Sequence, residues 1–384
     1  MLNRNESRSD RAERILRRRI ERGIYPAGSK LPSETALSKE LETSRSSLRK
    51  ALEVLVHDGL VGHRPGEPWC VSEAVVATER DRDGPIALLL PKIPKLEEVR
   101  GGIKGLMRVS WISIVHALAE RGFNVLQLSP ARLRDEGVSP KVASILSGAV
   151  IAFEARTMPY TEAFMRDCAN EDIPVIVQTE GEAAPGFDQV SSDYMGGTTA
   201  MMRWLYDHGV TRMQRIWATR VGPATALRDA AYEQFCHEHG LRCLPAARWY
   251  VREPMRDRVA FIVHHLKPLF ESDSPPEALL VWTDGMVDSI TRALLAMGIR
   301  PNVDVAICGF NHYWDFYEHH GPNMVPPLLN IDKRTPQIGN VISAMLQERL
   351  ADVSAPPMER VLPSRLVVND EQLARWRPVG EQPC

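Results

Sequence analysis

The stretch SRSSLRKALEVLVHDGL, residues 44–60, carries a concentration of positive charge at its start. Its apolar residues recur with the period of one helix face, at Leu48, Ala51, Leu52, Leu55 and Val56. The other face begins with hydroxyl and basic side chains, those of Arg45, Ser46, Ser47, Arg49 and Lys50. Basic charge near a helix N-terminus opposes the helix dipole, so we expect an external anion to balance it. Arginine, lysine and serine contact DNA phosphates, and arginine also pairs with guanine.

The elements around this helix are those of a winged helix-turn-helix domain. A first helix is predicted from about residue 10 to residue 22, and a second over SETALSKEL, residues 33–41. Ser44 is a good N-cap for the third helix, and Gly59 a good residue to end it. Short apolar runs on both sides of residues 63–68 predict a β-hairpin. In such a domain the third helix enters the major groove with its N-terminal side chains against the bases, whereas the alternative is an ordinary solvated helix face.

The segment GSKLPSETALSKELETSRSSLRKALEVLVHDGLV resembles the DNA-binding domain of the GntR family of bacterial transcription regulators. The family pattern is close to G-x-x-LPSER-x-LA-x-x-L-x-VSR-x-TVR-x-AL, and the resemblance covers most of residues 12–71. It implies that Ser44, Arg45 and Arg49 contact DNA, and that Gly66 lies at the tip of the wing. Together with the helix face above, the candidate DNA-binding residues are Ser44, Arg45, Ser46, Ser47, Arg49, Lys50, Arg64 and Gly66.

Two departures from the GntR pattern affect these expectations. Thr35 stands where the family has arginine after PSE, so one DNA contact is weakened or lost. The wing reads RPGEPWC, with Pro65 and the acidic Glu67 where family members often have polar or basic residues. We therefore expect Arg64 to make the wing contact, with a weak contribution from the minor groove.

Length and charge distribution predict a protein of more than one domain with a basic N-terminal part. The chain has 384 residues, too many for one ordinary core. Residues 1–71 hold 14 Lys and Arg against 10 Asp and Glu, a net of +4, which leaves −6 for the remainder. There is no CxxC pair, no secretory signal at the N-terminus and no apolar run of about 18 residues. We expect a cytoplasmic protein that is not inserted in a membrane.

The remainder of the chain alternates between predicted strands and helices. We expect a winged-helix head over residues 10–71, a linker over 72–85 and an effector-binding body over 86–370. Strands are predicted at IALLL, FNVLQL, GAVIAF, PVIVQT, RIWAT, residues 278–282 and VAICGF, with helices between them. This alternation indicates parallel sheets covered on both faces, enough for two α/β lobes. Ligands in such folds bind beyond the carboxyl ends of the strands.

Four segments of the body are similar, in the same order, to the effector domains of LacI-type regulators. They are residues 192–213, 226–241, 276–313 and 325–339. The departures from the LacI pattern are Ala231 for Gly, Thr283 for Asn, Val287 for Ala, Asn302 for Pro and Asn311-His312 for Asp-Asp. The resemblance implies a two-lobed, periplasmic-binding-protein-like fold over roughly residues 86–368, with the effector in the cleft.

The LacI resemblance also implies that Arg228 and Asp284 bind the effector. A guanidinium and a carboxylate can divide the hydroxyls of a sugar between donor and acceptor. Trp282 or Trp217 is a candidate to stack on the sugar ring. The alternatives are a structural ion pair between the lobes for the charged residues, and core positions for the two tryptophans.

The combination of the two modules resembles the arabinose repressors. It implies a DNA-binding transcription regulator, by default a repressor released by a sugar, that binds a palindromic operator as a homodimer. We expect no catalytic residues, no cofactor and no metal, and interpret HYWDFYEHHG (residues 312–321) as a loop or short helix at the cleft mouth. The alternatives are a solute-binding protein of a transport system, a pyridoxal-phosphate-dependent regulator, and a GntR-type regulator of a non-sugar ligand.

Overall fold

The computed structural model describes most of the chain, in segments on both sides of the predicted linker. The described residues are 7–21, 24–63, 68–73, 84–91, 103–134, 138–217, 222–249, 257–314, 324–353 and 355–376. Residues 74–83 of the predicted linker, and Arg64 and Gly66 of the wing, therefore lie outside them. No helix within these segments is long and apolar enough to cross a membrane.

The N-terminal segments fold as three helices followed by a hairpin. The elements are α1 (Arg8–Glu21), α2 (Glu34–Glu40), α3 (Arg45–His57), β1 (Val61–Gly62) and β2 (Cys70–Val71). β1 and β2 pair in antiparallel register. One apolar core joins all three helices to the hairpin, and it includes Ile15, Leu16, Leu37, Leu48, Leu52 and Val71. The predicted winged helix-turn-helix layout is confirmed.

Polar caps set the ends of these helices. The Ser33 hydroxyl accepts from the backbone N–H of Ala36 at 3.3 Å, and the Ser44 hydroxyl from that of Ser47 at 3.1 Å. Gly59, after α3, has a φ of +73° that favours glycine over other residues. Because α2 and α3 start at fixed caps, the turn between them has a defined length and direction.

The first lobe is an all-parallel sheet covered by helices on both faces. Its elements are β3 (Ile86–Leu89), α4 (Ile103–Glu120), β4 (Val125–Leu128), α5 (Val138–Ala143), β5 (Gly148–Ile151), α6 (Phe153–Arg156), α7 (Thr161–Asn170), β6 (Val175–Gln178), β7 (Asp188–Ser192), α12 (Thr335–Ala351) and β13 (Glu359–Leu362). The strand order is β13-β7-β6-β5-β3-β4. α12 lies so close to α4 that a Cβ on Gly339 would meet the carbonyl oxygen of Ser113 at 2.2 Å. Only glycine fits there.

The second lobe repeats this architecture with one antiparallel edge. Its elements are α8 (Tyr194–Asp207), β8 (Met213–Trp217), α9 (Pro223–Glu238), β9 (Ala247–Arg248), α10 (Arg258–Phe270), β10 (Ala278–Val281), α11 (Val287–Ala296), β11 (Ala306–Phe310), β12 (Leu329–Asp332), β14 (Arg365–Val368) and α13 (Asp370–Leu373). The order is β14-β12-β11-β10-β8-β9, with β14 antiparallel to β12. The predicted pair of α/β lobes is confirmed.

The chain crosses between the lobes three times, and hydrogen bonds tie the crossovers together. The crossovers lie between β7 and α8, between β12 and α12, and between β13 and β14. The backbone N–H of Asp193 donates to the carbonyl of Leu362 at 2.8 Å, and the Ser364 hydroxyl donates to the carbonyl of Asp193 at 2.8 Å. The Ser192 hydroxyl donates to the carbonyl of Lys333 at 3.2 Å. These bonds form a compact hinge beside the cleft.

Candidate functional site

The start of α3 forms an exposed cationic surface. Leu48, Ala51, Leu52 and Leu55 are buried, whereas the side opposite to them is open to solvent. The exposed residues of that side are Ser44, Arg45, Ser46, Arg49 and Lys50, with Ser47 partly buried. The structure therefore brings together the six helix residues that the sequence predicted to contact DNA.

Two side chains of α2 hold the arginines of α3 in place. Arg45 donates to the hydroxyl of Thr35 at 2.9 Å, and Nε of Arg49 donates to Glu34 at 2.9 Å. Glu34 also accepts from the indole N–H of Trp69, next to β2, at 3.2 Å. Burial opposes the ionisation of Glu34, but the hydrogen bonds from Trp69 and Arg49 lower its pKa. Arg49 remains 63% exposed, so its guanidinium is oriented and still accessible.

A second candidate site lies between the two lobes. A cavity of about 30 Å³ is lined on one side by strand ends of the first lobe, and on the other by Tyr194, Tyr313 and the hinge residue Lys333. Gln178 and Ser192 are the last residues of β6 and β7, so the cavity lies at the carboxyl ends of these strands, where ligands of such folds bind. A cavity of this volume has room for water molecules but not for a sugar.

A buried charged cluster spans the cleft. Nζ of Lys333 lies 3.5 Å from a carboxylate oxygen of Glu180 and 3.3 Å from the hydroxyl of Tyr194. Tyr194 donates to the same Glu180 oxygen at 2.9 Å. Lys333 is only 8% exposed. Because Glu180 follows β6, Tyr194 begins α8 and Lys333 lies on a crossover, the cluster joins both lobes to the hinge.

A second buried carboxyl of the first lobe, that of Glu154, lies next in sequence to Phe153, which lines the cavity. It accepts a hydrogen bond from the indole N–H of Trp111 at 3.1 Å. Burial raises the pKa of Glu154 to about 7. Its Oε1 atom is buried and has no hydrogen-bond partner among the described residues. An acid of this kind can donate or accept a hydrogen bond near neutral pH.

Arg228 of α9 is buried in the second lobe, beside the loop that follows β10. Its guanidinium donates to the carbonyls of Trp282 at 2.8 Å and Val281 at 3.2 Å. It lies between two rings, 3.8 Å from the centroid of Phe310 and 4.5 Å from that of Trp217. Burial lowers the pKa of Arg228 to about 9. Arg228 thus anchors the loop that leads to Asp284, and its Nε finds no partner within the described segments.

Asp284 is buried in the second lobe, next to a residue that lines the cavity. Its carboxylate accepts from the backbone N–H of Tyr313 at 2.6 Å and from the side chain of Asn330 at 2.9 Å. Burial raises its pKa to about 7, although these hydrogen bonds oppose the shift. Tyr313 lines the cavity, so Asp284 places a residue of the cleft wall. Asp284 and Arg228 belong to the same lobe, which differs from the alternative of an ion pair between lobes.

The two candidate tryptophans differ in their surroundings. Trp217 is 1% exposed and its indole N–H donates to Asp229 at 2.8 Å, which makes it a core residue. Trp282 directly follows the carboxyl end of β10 and is only partly buried. Trp282 is therefore the better candidate for stacking on a ligand.

Sequence reasoning missed the residues that line the cleft most directly. Glu180, Tyr194 and Lys333 line the cavity but were not among the predicted effector contacts. A signal did exist for Glu180, since a carboxylate one residue after the predicted strand PVIVQT lies at a carboxyl end. No comparable signal existed for Lys333, whose position depends on a crossover that periodicity does not reveal.

The structure offers no metal site within its described segments. No group of three or more His, Cys, Asp or Glu side chains is arranged to hold a metal ion there. Residues 315–321 of the histidine-rich stretch lie outside the described residues.

Two family models match separate parts of the chain. Residues 8–71 match the family described as bacterial regulatory proteins, gntR family. Residues 202–370 match the periplasmic binding protein-like domain. The transcriptional regulator GmuR of Bacillus subtilis is 31% identical over 61 residues, which are 16% of this chain and 26% of GmuR. The match thus spans about a quarter of that relative.

Comparisons of structure extend the similarity to the whole body. A LacI family transcriptional regulator from Enterococcus faecium, with bound ribose, has a TM-score of 0.57 at 15% identity, over 77% of this chain and 99% of its own. The transcriptional regulator CelR, in complex with cellobiose, has a TM-score of 0.56 at 16% identity, over 88% of this chain and 99% of its own. At such identities the likeness shows a common fold.

Proposed function

The chain joins a GntR-type helix-turn-helix domain to a two-lobed, periplasmic-binding-protein-like body, and from this premise we propose that it is a sequence-specific transcription regulator. In this proposal it is a repressor whose affinity for operator DNA is controlled by a sugar bound between the lobes. The observation that carries the proposal is the presence, on one chain, of an exposed cationic helix start and a cleft lined by buried charges.

The proposed DNA contacts are those of α3 and the wing. Arg45 and Arg49 are directed away from the apolar core, and their charge is balanced only in part by α2. Phosphates would complete that balance, while guanine would accept the paired N–H groups of an arginine. Ser44, Ser46, Ser47 and Lys50 surround the arginines, and Arg64 and Gly66 are the proposed wing contacts.

The proposed ligand site is the cleft. The solved neighbours with bound ribose and cellobiose support a sugar. Lys333, Glu180 and Tyr194 would exchange their mutual hydrogen bonds for sugar hydroxyls, while Trp282 is the candidate ring-stacking residue. Arg228 and Asp284 stay in the proposed site as groups that hold Trp282 and Tyr313 in place. A cavity of about 30 Å³ is too small for a sugar, so the lobes must separate to admit one.

Assembly and mode of action follow from the same proposal. A homodimer would present two α3 helices to a palindromic operator, and movement of the lobes would change how the two helices are placed. Such a regulator works in the cytoplasm, where operator DNA is found, and acts by binding rather than by catalysis. A transport binding protein would share the body, but it has no use for the cationic helix.

A thermal-shift screen with the full chain tests the ligand. Pentoses, hexoses and disaccharides are the first set, and sugar acids and sugar phosphates the second, because Lys333 would favour an anion. A ligand at about 100 times its dissociation constant adds about 2.7 kcal/mol of stability. We expect a hit that Glu180→Gln and Lys333→Met abolish and that Glu162→Gln, an exposed change in the same lobe, retains. A hit that survives the first two changes would move the site out of the cleft.

Release of DNA completes the test. The same ligand should lower the affinity of the wild-type chain for a duplex selected from a random-sequence pool. If the wild-type chain selects no duplex, DNA binding is removed from the proposal. If it then still binds a sugar, the alternative of a transport binding protein is favoured.

A further inference from the structure

Three arginines of α1, Arg14, Arg18 and Arg19, contact the body. Arg14 pairs with both carboxylate oxygens of Glu171, one of them at 3.0 Å. Arg19 pairs with Asp172 at 2.5 Å and 3.1 Å. Arg18 donates to the backbone carbonyls of Ser144 at 2.5 Å and Glu171 at 3.3 Å. Two-point arginine–carboxylate pairs fix orientation as well as distance, so α1 is held in one direction on the first lobe.

Contacts inside the head connect α1 to α2, and α2 to the proposed DNA-reading helix α3. Arg19 also donates to Glu40, the last residue of α2, at 2.8 Å, and to the hydroxyl of Tyr25 at 3.1 Å. α2 in turn positions Arg45 and Arg49 through Thr35 and Glu34. One guanidinium therefore links the first lobe to the element that orients the arginines of α3.

The same turn of the body is connected to the cleft. Glu171 and Asp172 lie in the turn between α7 and β6, and β6 is only four residues long. Gln178, which ends β6, and Glu180 line the interlobe cavity. One short strand thus has the arginine contacts at its start and the cleft at its end.

The ion pairs between head and body lie beside an open groove. A groove of about 560 Å³ runs beside the ion pairs, bounded by Tyr25 and Glu40 of the head and by Phe187, Asp188 and Arg349 of the first lobe. Both polar and apolar side chains line this groove, so the interface is not closely packed around the ion pairs. Relative motion of two domains in one chain is the default expectation unless their interface is large and hydrophobic.

We propose that Arg14 and Arg19, with Glu171 and Asp172, are positioning residues that fix the DNA-reading helix relative to the effector cleft. This inference rests on the proposed function. In a homodimer these contacts set the separation of the two α3 helices, and therefore the spacing between operator half-sites. The half-site sequence is set by α3, and the spacing by the ion pairs of α1.

The test uses the full chain with Glu171→Gln and Asp172→Asn combined. Both changes are nearly isosteric, leave the head sequence intact and suit the left-handed conformation of Asp172, whose φ is +55°. Glu162→Gln is the matched control, since Glu162 lies on α7 but pairs with Arg156 of the same lobe. Exchange of Arg14 and Glu171, as Arg14→Glu with Glu171→Arg, tests recovery of the pair.

Two readouts separate docking from DNA binding. Hydrogen exchange of α1 amides should rise by about tenfold in the Gln/Asn variant but not in the control. In selections from a random duplex pool, the wild type should enrich half-sites at one spacing, and the variant the same half-sites at several. The exchanged pair should restore the single spacing, which a loss of folding would not allow.

Each outcome decides one proposition. Unchanged exchange, or a single unchanged spacing in the variant, would overturn the positioning role while leaving the regulator intact. If the wild-type chain enriches no duplex, the proposed function is overturned instead. The hydrogen exchange of the α1 amides would then still show whether the ion pairs hold α1 on the first lobe.

Discussion

The exposed cationic surface at the start of α3, which is the proposed DNA-reading surface, and the interlobe cleft use charge in opposite ways. Arg45, Arg49 and Lys50 are exposed and remain hydrated. In the cleft and behind it, Arg228, Asp284 and Lys333 are buried, and burial shifts the pKa of Arg228 and Asp284 toward the neutral forms. An anionic partner such as DNA is attracted to the exposed cations, and little free energy is spent on removing water from them. Buried charged groups, in contrast, need hydrogen-bond partners in the folded protein even when no ligand is bound. Mutations should therefore affect binding at one site and folding at the other.

The largest effect is expected at the buried guanidinium. Arg228→Ala removes the donor to the carbonyls of Val281 and Trp282 and the guanidinium that lies over the rings of Trp217 and Phe310. We expect a loss of about 3 kcal/mol in the free energy of unfolding, measured by urea denaturation. Arg203→Ala is the control, because Arg203 is exposed on α8 and only stacks on Phe235. A loss no larger than that of the control would mean that burial does not distinguish the two sites.

The exposed arginines should show the reverse pattern. Arg45→Ala and Arg49→Ala should each weaken binding to a selected duplex by about 1–3 kcal/mol and relax its base preference. Their free energies of unfolding should change by no more than about 0.5 kcal/mol, because both side chains lie outside the core. Fluorescence anisotropy and urea denaturation measure the two quantities. A loss of stability as large as the loss of affinity would make these arginines structural.

The pH dependence of stability isolates Asp284. Burial raises its folded-state pKa to about 7, above the unfolded value of about 3.8. The carboxyl of Asp284 therefore contributes most to the free energy of unfolding below about pH 4, and this contribution is lost as the pH rises through 7. Asn does not ionise, so Asp284→Asn removes this loss. Between pH 5 and pH 8 the free energy of unfolding of the variant should rise by about 1–2 kcal/mol relative to that of the wild type, measured by urea denaturation. Asp288→Asn, at an exposed ion pair of α11, should gain nothing.

The contrast between the sites also explains what the sequence could predict. The residues of the reading surface that lie on α3 fall within residues 44–50, and helix periodicity alone separates them from the core. The cleft is assembled from positions between Ser110 and Ile338. Only topology brings these together, since the chain crosses between lobes three times. Strand β7 was missed for a related reason, because its sequence DQVSS is too polar for a buried-strand pattern.

Some departures from the LacI pattern become intelligible as pairs. Thr283 and Asn311 both depart from it, and they hydrogen bond to each other at 2.9 Å. Asn302 adopts a φ of +58°, which proline cannot. Its buried side chain accepts from the N–H of Ile307 and donates to Pro326 and Gln372. Apart from the bond to Ile307, these contacts join residues distant in sequence, so no local pattern could have predicted them.

The smallest effect tests whether the reading surface can be strengthened without cost to the fold. Thr35 now accepts a hydrogen bond from Arg45, at the position where the GntR pattern has arginine. Thr35→Arg adds a cation at the edge of the surface, which should increase affinity for a selected duplex by about 0.5–1 kcal/mol and steepen its salt dependence by about one phosphate contact. Lys39→Arg, on the last turn of α2, keeps the charge unchanged and is the control. An unchanged salt slope would place residue 35 away from the DNA backbone, and a weaker affinity would show that Thr35 matters mainly by orienting Arg45.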